Sequence, residues 1–295
     1  MLKERVITAI VLLLILLGAY WAGPVWFSAV MAIGFFLAQW EWFKLAHVPS
    51  WIAGIVAAII GLTTCATVYT IFAEMVTGQI DKAFYNQVSG LFILYVALVT
   101  LLWLGIAIGI YFSRNKGMKV ATVFVSLTAV FFAPAAWLCF VSIYASFGIS
   151  MILSLLMIVW IADIMAYFTG RAFGKHRLAP AISPKKSWEG VAGGMLSVFV
   201  LGLVAVWCVP EQYHTLPGLL VSKHGLLGWA IGCWFLVTLS IAGDLFESAL
   251  KRQVGVKDSS NLLPGHGGFY DRLDAMMPTL PAGLMVTVLV ASGTL

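Results

Sequence analysis

Polar positions along this chain come in short clusters, separated by apolar runs too long to be one face of a soluble helix. A helix crossing a bilayer needs roughly 17–25 mostly apolar residues. Nine runs fit: 5–22, 25–44, 51–73, 90–112, 119–145, 149–170, 189–209, 226–250 and 274–294. Backbone groups in lipid must be satisfied internally, so these runs predict helices rather than strands. Gly23-Pro24 predicts a turn between the first two, and Pro134 predicts a kink or break in the fifth. The expectation is an all-α polytopic membrane bundle of about nine transmembrane helices. Residues 1–148 supply N-terminal membrane helices and residues 149–295 a catalytic region, within one integral membrane domain.

Composition agrees: 62% of the residues are hydrophobic and only 10% charged, against about 45–50% and 25% in soluble domains. The charge is placed as well as sparse. A cytoplasmic N-terminus puts the segments near 45–50, 113–118, 171–188 and 251–273 on the same side. These segments, their flanking helix ends and the N-terminus then hold fifteen of the 17 Lys and Arg residues, all but Lys82 and Lys223, as the positive-inside rule requires. The net +5 is thus a topology signal with some attraction to anionic lipid; it does not call for nucleic acid. Lys3 and Arg5 precede the first run as in a signal peptide, but "GAYWAGP" is a poor cleavage site, so that run reads as retained. Cys65, Cys139, Cys208 and Cys233 stand singly in apolar runs, without the spacing of a zinc site or a disulfide framework.

The first half holds few ionisable residues. Glu41, in "AQWEWFKL", reads as an interfacial anchor beside Trp40 and Trp42. The second half has three charged clusters. In the first, Asp163 interrupts an apolar helix, where an acid costs about 2.5–3.5 kcal/mol on insertion scales. It lies about two turns from Arg171, with Tyr167 one turn away on the same face. The plain alternative is a buried Asp paired with Arg or Tyr. "SPKKSWEG" follows: Lys185 and Lys186 stand before a helix start, Ser187 is a plausible N-cap, and Glu189 falls in the first turn. Ammonium groups beside free helix N–H groups suit a polyanion. Topology alone would explain the charge, but not its place at a helix start.

In the second cluster Asp244 and Glu247 share a helix face, with Ser248 one turn after Asp244. Lys251 and Arg252 mark the interface, and Lys257 and Asp258 lie in the loop beyond. The third is "LPGHGGFYDRLDAMMP". Its glycines let backbone N–H groups approach a ligand closely. No strand precedes it and it is not GxGxxG, which excludes a dinucleotide fold. His266 lacks an HExxH context and reads as a phosphate-contacting or hydrogen-bonding residue. Asp271 and Asp274 follow, spaced i, i+3. These acids can approach one cytoplasm-facing cavity. All-oxygen donors favour Mg²⁺ shared with substrate phosphates. Carboxylates, lysines and a Gly-rich loop together point to metal-assisted phosphoryl or nucleotidyl transfer, with a lipid as the second substrate.

The stretch "SALKRQVGVKDSSNLLPGHGGFYDRLD" resembles the signature of phosphatidate cytidylyltransferases, the CDP-diacylglycerol synthases: Ser, Lys-Arg, Lys-Asp, Pro-Gly-His-Gly-Gly, then Asp-Arg-x-Asp. "SPKKSWEG", "GRAFGK" and "GDLFES" resemble the same family, and "MLKERVITA" and "WEWFKL" are fainter echoes. The resemblance implies transfer of the cytidylyl group of CTP to phosphatidic acid, with Mg²⁺ alone or with a second cation. It also implies a homodimer among membrane lipids of a bacterial inner membrane, its active site facing the cytoplasm. On this reading Asp244 and Asp271 hold the metal, with Asp163 and Asp274 as further ligands. Lys185, Lys186, Lys251 and Arg252 neutralise phosphate charge. Ser248, Lys257, Asp258, Gly265, His266, Gly267, Gly268 and Arg272 contact substrate. Two rivals are a CTP-dependent polyprenol kinase, which the complete signature opposes, and an ion-coupled secondary transporter. Against the transporter, the acids cluster at the cytoplasmic end and no paired broken helices appear in two halves.

Overall fold

Apolar residues this continuous can satisfy their backbone in lipid only by coiling, and the chain does so nearly throughout. The structure is a computed structural model and describes residues 2–77 and 82–292. Its helices are α1 (Leu2–Ala22), α2 (Pro24–Leu45), α3 (Ser50–Thr77), α4 (Lys82–Ser113), α5 (Thr122–Phe173), α6 (Trp188–Cys208), α7 (Leu216–Val254), α8 (Tyr270–Leu273) and α9 (Met276–Ala291). Among the described residues, 7 helices are long and apolar enough to cross a membrane. Leu14, Trp21, Leu62 and Leu94 stand exposed on them, as side chains solvated by lipid would. The protein is an all-α polytopic membrane protein. The end of the last apolar run, 293–294, lies outside the described residues.

Two helices exceed one bilayer crossing. α5 has 52 residues and α7 has 39, and each contains one residue off the helical φ/ψ values, Gly148 (φ 79°, ψ −177°) and Gly225 (φ 65°, ψ −162°). Such backbone is open essentially only to glycine. The break in α5 is therefore at Gly148 and not at Pro134, which sits inside the helix. Neighbouring side chains and small local adjustments let membrane helices absorb the one hydrogen bond a proline removes.

A small antiparallel hairpin of β1 (Arg177–Ala179) and β2 (Ser183–Ser187) departs from the all-helical expectation. The residue before Pro184 is biased to extended backbone, and the segment lies between helices, where no lipid enforces coiling. The Ala181 N–H donates to the Arg114 carbonyl (3.1 Å) and the Trp188 N–H to the His176 carbonyl (3.0 Å). The hairpin is thus pinned at its turn and at its exit into α6.

The chain divides into two compact units. The first comprises Met1–Tyr95, Val120–Trp137 and Leu250–Leu273, and the second Val96–Lys119, Leu138–Ala249 and Asp274–Leu295. In the first, Trp42 stacks on Tyr270 (ring centroids 4.6 Å, 19°) and meets Phe132 edge-on at 5.9 Å. Gln39 Nε2 donates to the Ala129 carbonyl (2.8 Å) and Trp137 Nε1 to that of Ser28 (3.0 Å). In the second, Trp103 meets Phe246 edge-on at 5.7 Å, and Trp229 Nε1 donates to the Phe199 carbonyl at 3.0 Å.

Small residues bring the second unit's helices close. A Cβ at Gly190 would lie 2.7 Å from the Ala166 carbonyl oxygen, and one at Gly194 would lie 2.8 Å from that of Ala162. The four-residue spacing puts both glycines on one stripe of α6 against α5, the small-xxx-small packing that membranes favour. Gly243 does the same on α7, where a Cβ would collide with the Asp274 carbonyl oxygen and Pro278.

Candidate active site

Those close approaches position the acids of the second unit. Ala162 precedes Asp163, and Gly243 precedes Asp244 while facing the backbone of Asp274. α5, β2, α6 and α7 together enclose a cavity of about 590 Å³, within the range of roughly 300–1,000 Å³ usual for ligand sites. Its polar lining is Asp163, Tyr167, Arg171, Arg177, Lys185, Lys186, Ser187 and Asp244, over a floor that includes Gly170, Gly174, Gly190 and Gly194. Asp163 is exposed toward this space rather than paired away. Tyr167 on the same face receives Arg171 instead, Nη1 to hydroxyl at 3.3 Å.

The hairpin delivers the lysines. Lys185 is exposed, while Lys186 is about a quarter exposed and pairs with Asp244, Nζ to Oδ2 at 2.5 Å. Burial works against the Lys186 ammonium. The Asp244 carboxylate, followed by Asp163 and Asp274, overcomes it and holds the lysine above its ordinary pKa. Lys186 is therefore positively charged at neutral pH, with the carboxyl groups of Asp244, Asp163 and Asp274 near it. Ser248 also donates to Asp244 (3.4 Å). Ser187 is the N-cap of α6 in extended backbone and accepts from the Gly190 N–H at 3.2 Å. Glu189 in the first turn accepts from the backbone N–H groups of Lys175 and His176 and meets His176 Nδ1 at 2.6 Å, which ties the end of α5 to the start of α6.

The glycine-rich motif lies in the first unit. Its turn closes through the Leu263 N–H donating to the Gly267 carbonyl and the His266 N–H to the Leu263 carbonyl, both 2.8 Å. Gly265 (φ 74°) and Gly267 (φ 84°) take the left-handed backbone this needs. Arg272 grips the His266 carbonyl through Nε (3.1 Å) and Nη2 (2.6 Å). Asp271 organises the loop from inside. Its Oδ2 accepts from the Ser259 N–H (2.9 Å), the Ser259 hydroxyl (2.8 Å) and the Gly268 N–H (2.8 Å), and its Oδ1 meets Lys251 Nζ at 2.6 Å. His266 Nδ1 is buried with no hydrogen-bond partner among the described residues. Arg252, Lys257 and Asp258 stand exposed around the turn.

Glu41 was misread in the sequence as an interfacial anchor. It is fully buried and faces four donors of the motif: Ser259 Oγ (2.8 Å), whose one proton it shares with Asp271, Ser260 Oγ (2.5 Å), Phe269 N (3.1 Å) and Tyr270 N (2.7 Å). A Cβ at Gly268 would run into this carboxylate, so the loop needs glycine there to seat itself. Thr8 Oγ1 donates to the Pro264 carbonyl at 2.9 Å, and Arg5 packs on Gly265. The two fainter echoes in the sequence, "MLKERVITA" and "WEWFKL", are thus the segments that seat the motif. The one available signal was an acid between two tryptophans inside an apolar run.

The acids accordingly divide. Asp163, Asp244 and Asp274 act on one ammonium in the second unit, Asp271 holds the loop in the first, and Glu247 is buried. Their oxygen donors suit a hard cation. Among the described residues no three His, Cys, Asp or Glu are close enough to hold a metal ion by themselves. A cation held here would need substrate phosphate oxygens beside one or two carboxylates.

Residues 3–290 match the model of the cytidylyltransferase family. Phosphatidate cytidylyltransferase of Haemophilus influenzae is 33% identical over 293 residues, 95% of this chain and 96% of that protein. The protein of the same name from Pseudomonas aeruginosa is 34% identical over 305 residues, 95% of each chain. That of Thermotoga maritima is 36% identical over 178 residues, 59% of this chain and 60% of its own.

Proposed function

The chain belongs to the cytidylyltransferase family, and on that premise we propose how its residues act. It transfers the cytidylyl group of CTP to phosphatidic acid, giving CDP-diacylglycerol and pyrophosphate. A phosphate oxygen of the lipid attacks the α-phosphorus of CTP, and the bond to the β-phosphate breaks. The lipid monoester is already anionic near neutral pH, so the main obstacle is repulsion between the reactants rather than removal of a proton.

The observation that supports this assignment is the cavity where Arg171, Arg177, Lys185 and Lys186 converge beside Asp163 and Asp244. Its cations offset the triphosphate and the leaving pyrophosphate. In the second unit Asp244 would hold Mg²⁺, with Asp163 and Asp274 in support; Asp271, the other acid expected to bind it, lies in the first unit and is engaged by Lys251 and the loop backbone. When bound, this cation draws charge from the phosphoryl oxygens. In the first unit the Gly265 and Gly267 N–H groups and the His266 ring would meet phosphate, with Lys257, Asp258 and Arg272 as further contacts; in the second, Ser248 would do so beside Asp244. Nine spans with a cytoplasmic N-terminus, in a bacterial inner membrane, would open the site to cytoplasmic CTP. The distribution of basic residues supports that topology. A homodimer belongs to the same proposal and rests on resemblance alone.

Label decides which phosphorus is attacked. CTP labelled at the α-phosphate gives labelled lipid with an equal yield of pyrophosphate, and CTP labelled at the γ-phosphate leaves the lipid unlabelled. EDTA abolishes transfer, and Asp244→Asn lowers it by about 10²-fold or more. γ-Label in the lipid would overturn the reading in favour of a kinase.

A further inference from the structure

Next to the polar cavity the second unit has another opening, of about 180 Å³ and almost wholly apolar, between the end of α4, β1, the start of α6 and α7. Ile110, Leu178, Trp188, Met195 and Leu245 line it. At one side stands Arg114. Its guanidinium lies over the Tyr111 ring, 4.1 Å from the centroid, and its Nη1 is buried with no hydrogen-bond partner among the described residues. A buried donor of a charged group without an acceptor demands an explanation, and an anionic oxygen supplies one.

The slot and the cavity share walls. Val191 and Ile241 line both. On α7 the consecutive residues Asp244 and Leu245 line the cavity and the slot respectively. At the head of α6, Ser187 lines the cavity and Trp188 the slot. An apolar channel with one cation at its side, wall to wall with a phosphate-handling cavity, matches a molecule that is greasy along most of its length and anionic at one end.

We propose that this slot lodges an acyl chain of the lipid substrate, with Arg114 holding an anionic oxygen of its headgroup. The proposal rests on the assignment of phosphatidic acid as acceptor. The lipid thereby arrives with its phosphate turned toward the wall formed by Val191 and Ile241. Arg114 is a binding residue for the lipid and leaves the nucleotide alone.

The test uses the full chain in vesicles and a phosphatidic acid carrying a diazirine on one acyl chain. Illumination should place label in peptides containing Met195 or Leu245. Unlabelled phosphatidic acid should compete it away and phosphatidylcholine should not. Label confined to other helices, or competed equally by both lipids, overturns the proposal. In kinetics, Arg114→Gln should raise KM for phosphatidic acid by about tenfold or more, as expected for loss of a charged hydrogen bond, with KM for CTP unchanged. Arg114→Lys should recover part of the loss. Equal KM for phosphatidic acid in wild type and Arg114→Gln also overturns it. A wild-type enzyme that passes no α-label to phosphatidic acid would instead sink the functional assignment itself.

Discussion

Glu41 is the residue with most depending on it outside the signature. Its Oε1 takes Ser260 Oγ and Phe269 N, and its Oε2 takes Ser259 Oγ and Tyr270 N. Glu41→Gln keeps the size but replaces one acceptor with an NH₂ group. The serine hydroxyls can turn to accept from it; a backbone N–H cannot. One of Phe269 N or Tyr270 N is then left facing a donor, at a cost of about 1–3 kcal/mol. Expected outcomes are a lower unfolding temperature in detergent and clearly reduced cytidylyl transfer, with normal membrane insertion. Wild-type stability and activity together would remove Glu41 from its place under the motif. The same scale explains why the sequence named Asp271, Lys251 and Gly268 but not the contacts among them, and missed Ser259. The acid is visible in "DRLD", whereas Ser259, Gly268 and Lys251 become its partners only when the loop folds back.

At the scale of elements, α6 and α5 are held together by what α6 lacks. Gly194→Leu puts a branched side chain where even a Cβ would lie 2.8 Å from the Ala162 carbonyl oxygen. Overpacking of this kind costs about 1–3 kcal/mol, and here it would shift the helix turn that presents Asp163. Gly105→Leu is the matched control, because a Cβ at Gly105 meets nothing within 4 Å. The expectation is that Gly194→Leu loses most activity and some thermal stability, while Gly105→Leu behaves as wild type. Equal behaviour of the two would mean that close approach of α5 and α6 does not shape the cavity. The element boundaries were largely legible: most apolar runs became helices, and the runs 119–145 and 149–170 became the two parts of α5. The break in α5 was legible too, as the gap between the runs 119–145 and 149–170 that Gly148 occupies; a break at Pro134 did not follow, since that residue stays inside the helix.

At the scale of the whole molecule, the basic residues predict sidedness. A reporter fused after Asn115 should lie in the cytoplasm and one fused after Leu295 on the opposite face; the same side for both would break the nine-span topology. Composition, helical class, the placement of charge and the signature chemistry were all set by the sequence itself. Each depends on residue type or on spacing within one segment, and lipid leaves an apolar run few alternatives to a helix. The tertiary structure alone decided which acids keep company. It seated the motif on Glu41, 218 residues before Ser259 in the chain. It set Lys186 against Asp244, 58 residues away, and opened an apolar slot beside the cavity with Arg114 at its side. Contacts across such separations leave no periodicity in the sequence, because they are fixed by how closely glycine-lined helices can approach and by which buried charges must then be satisfied.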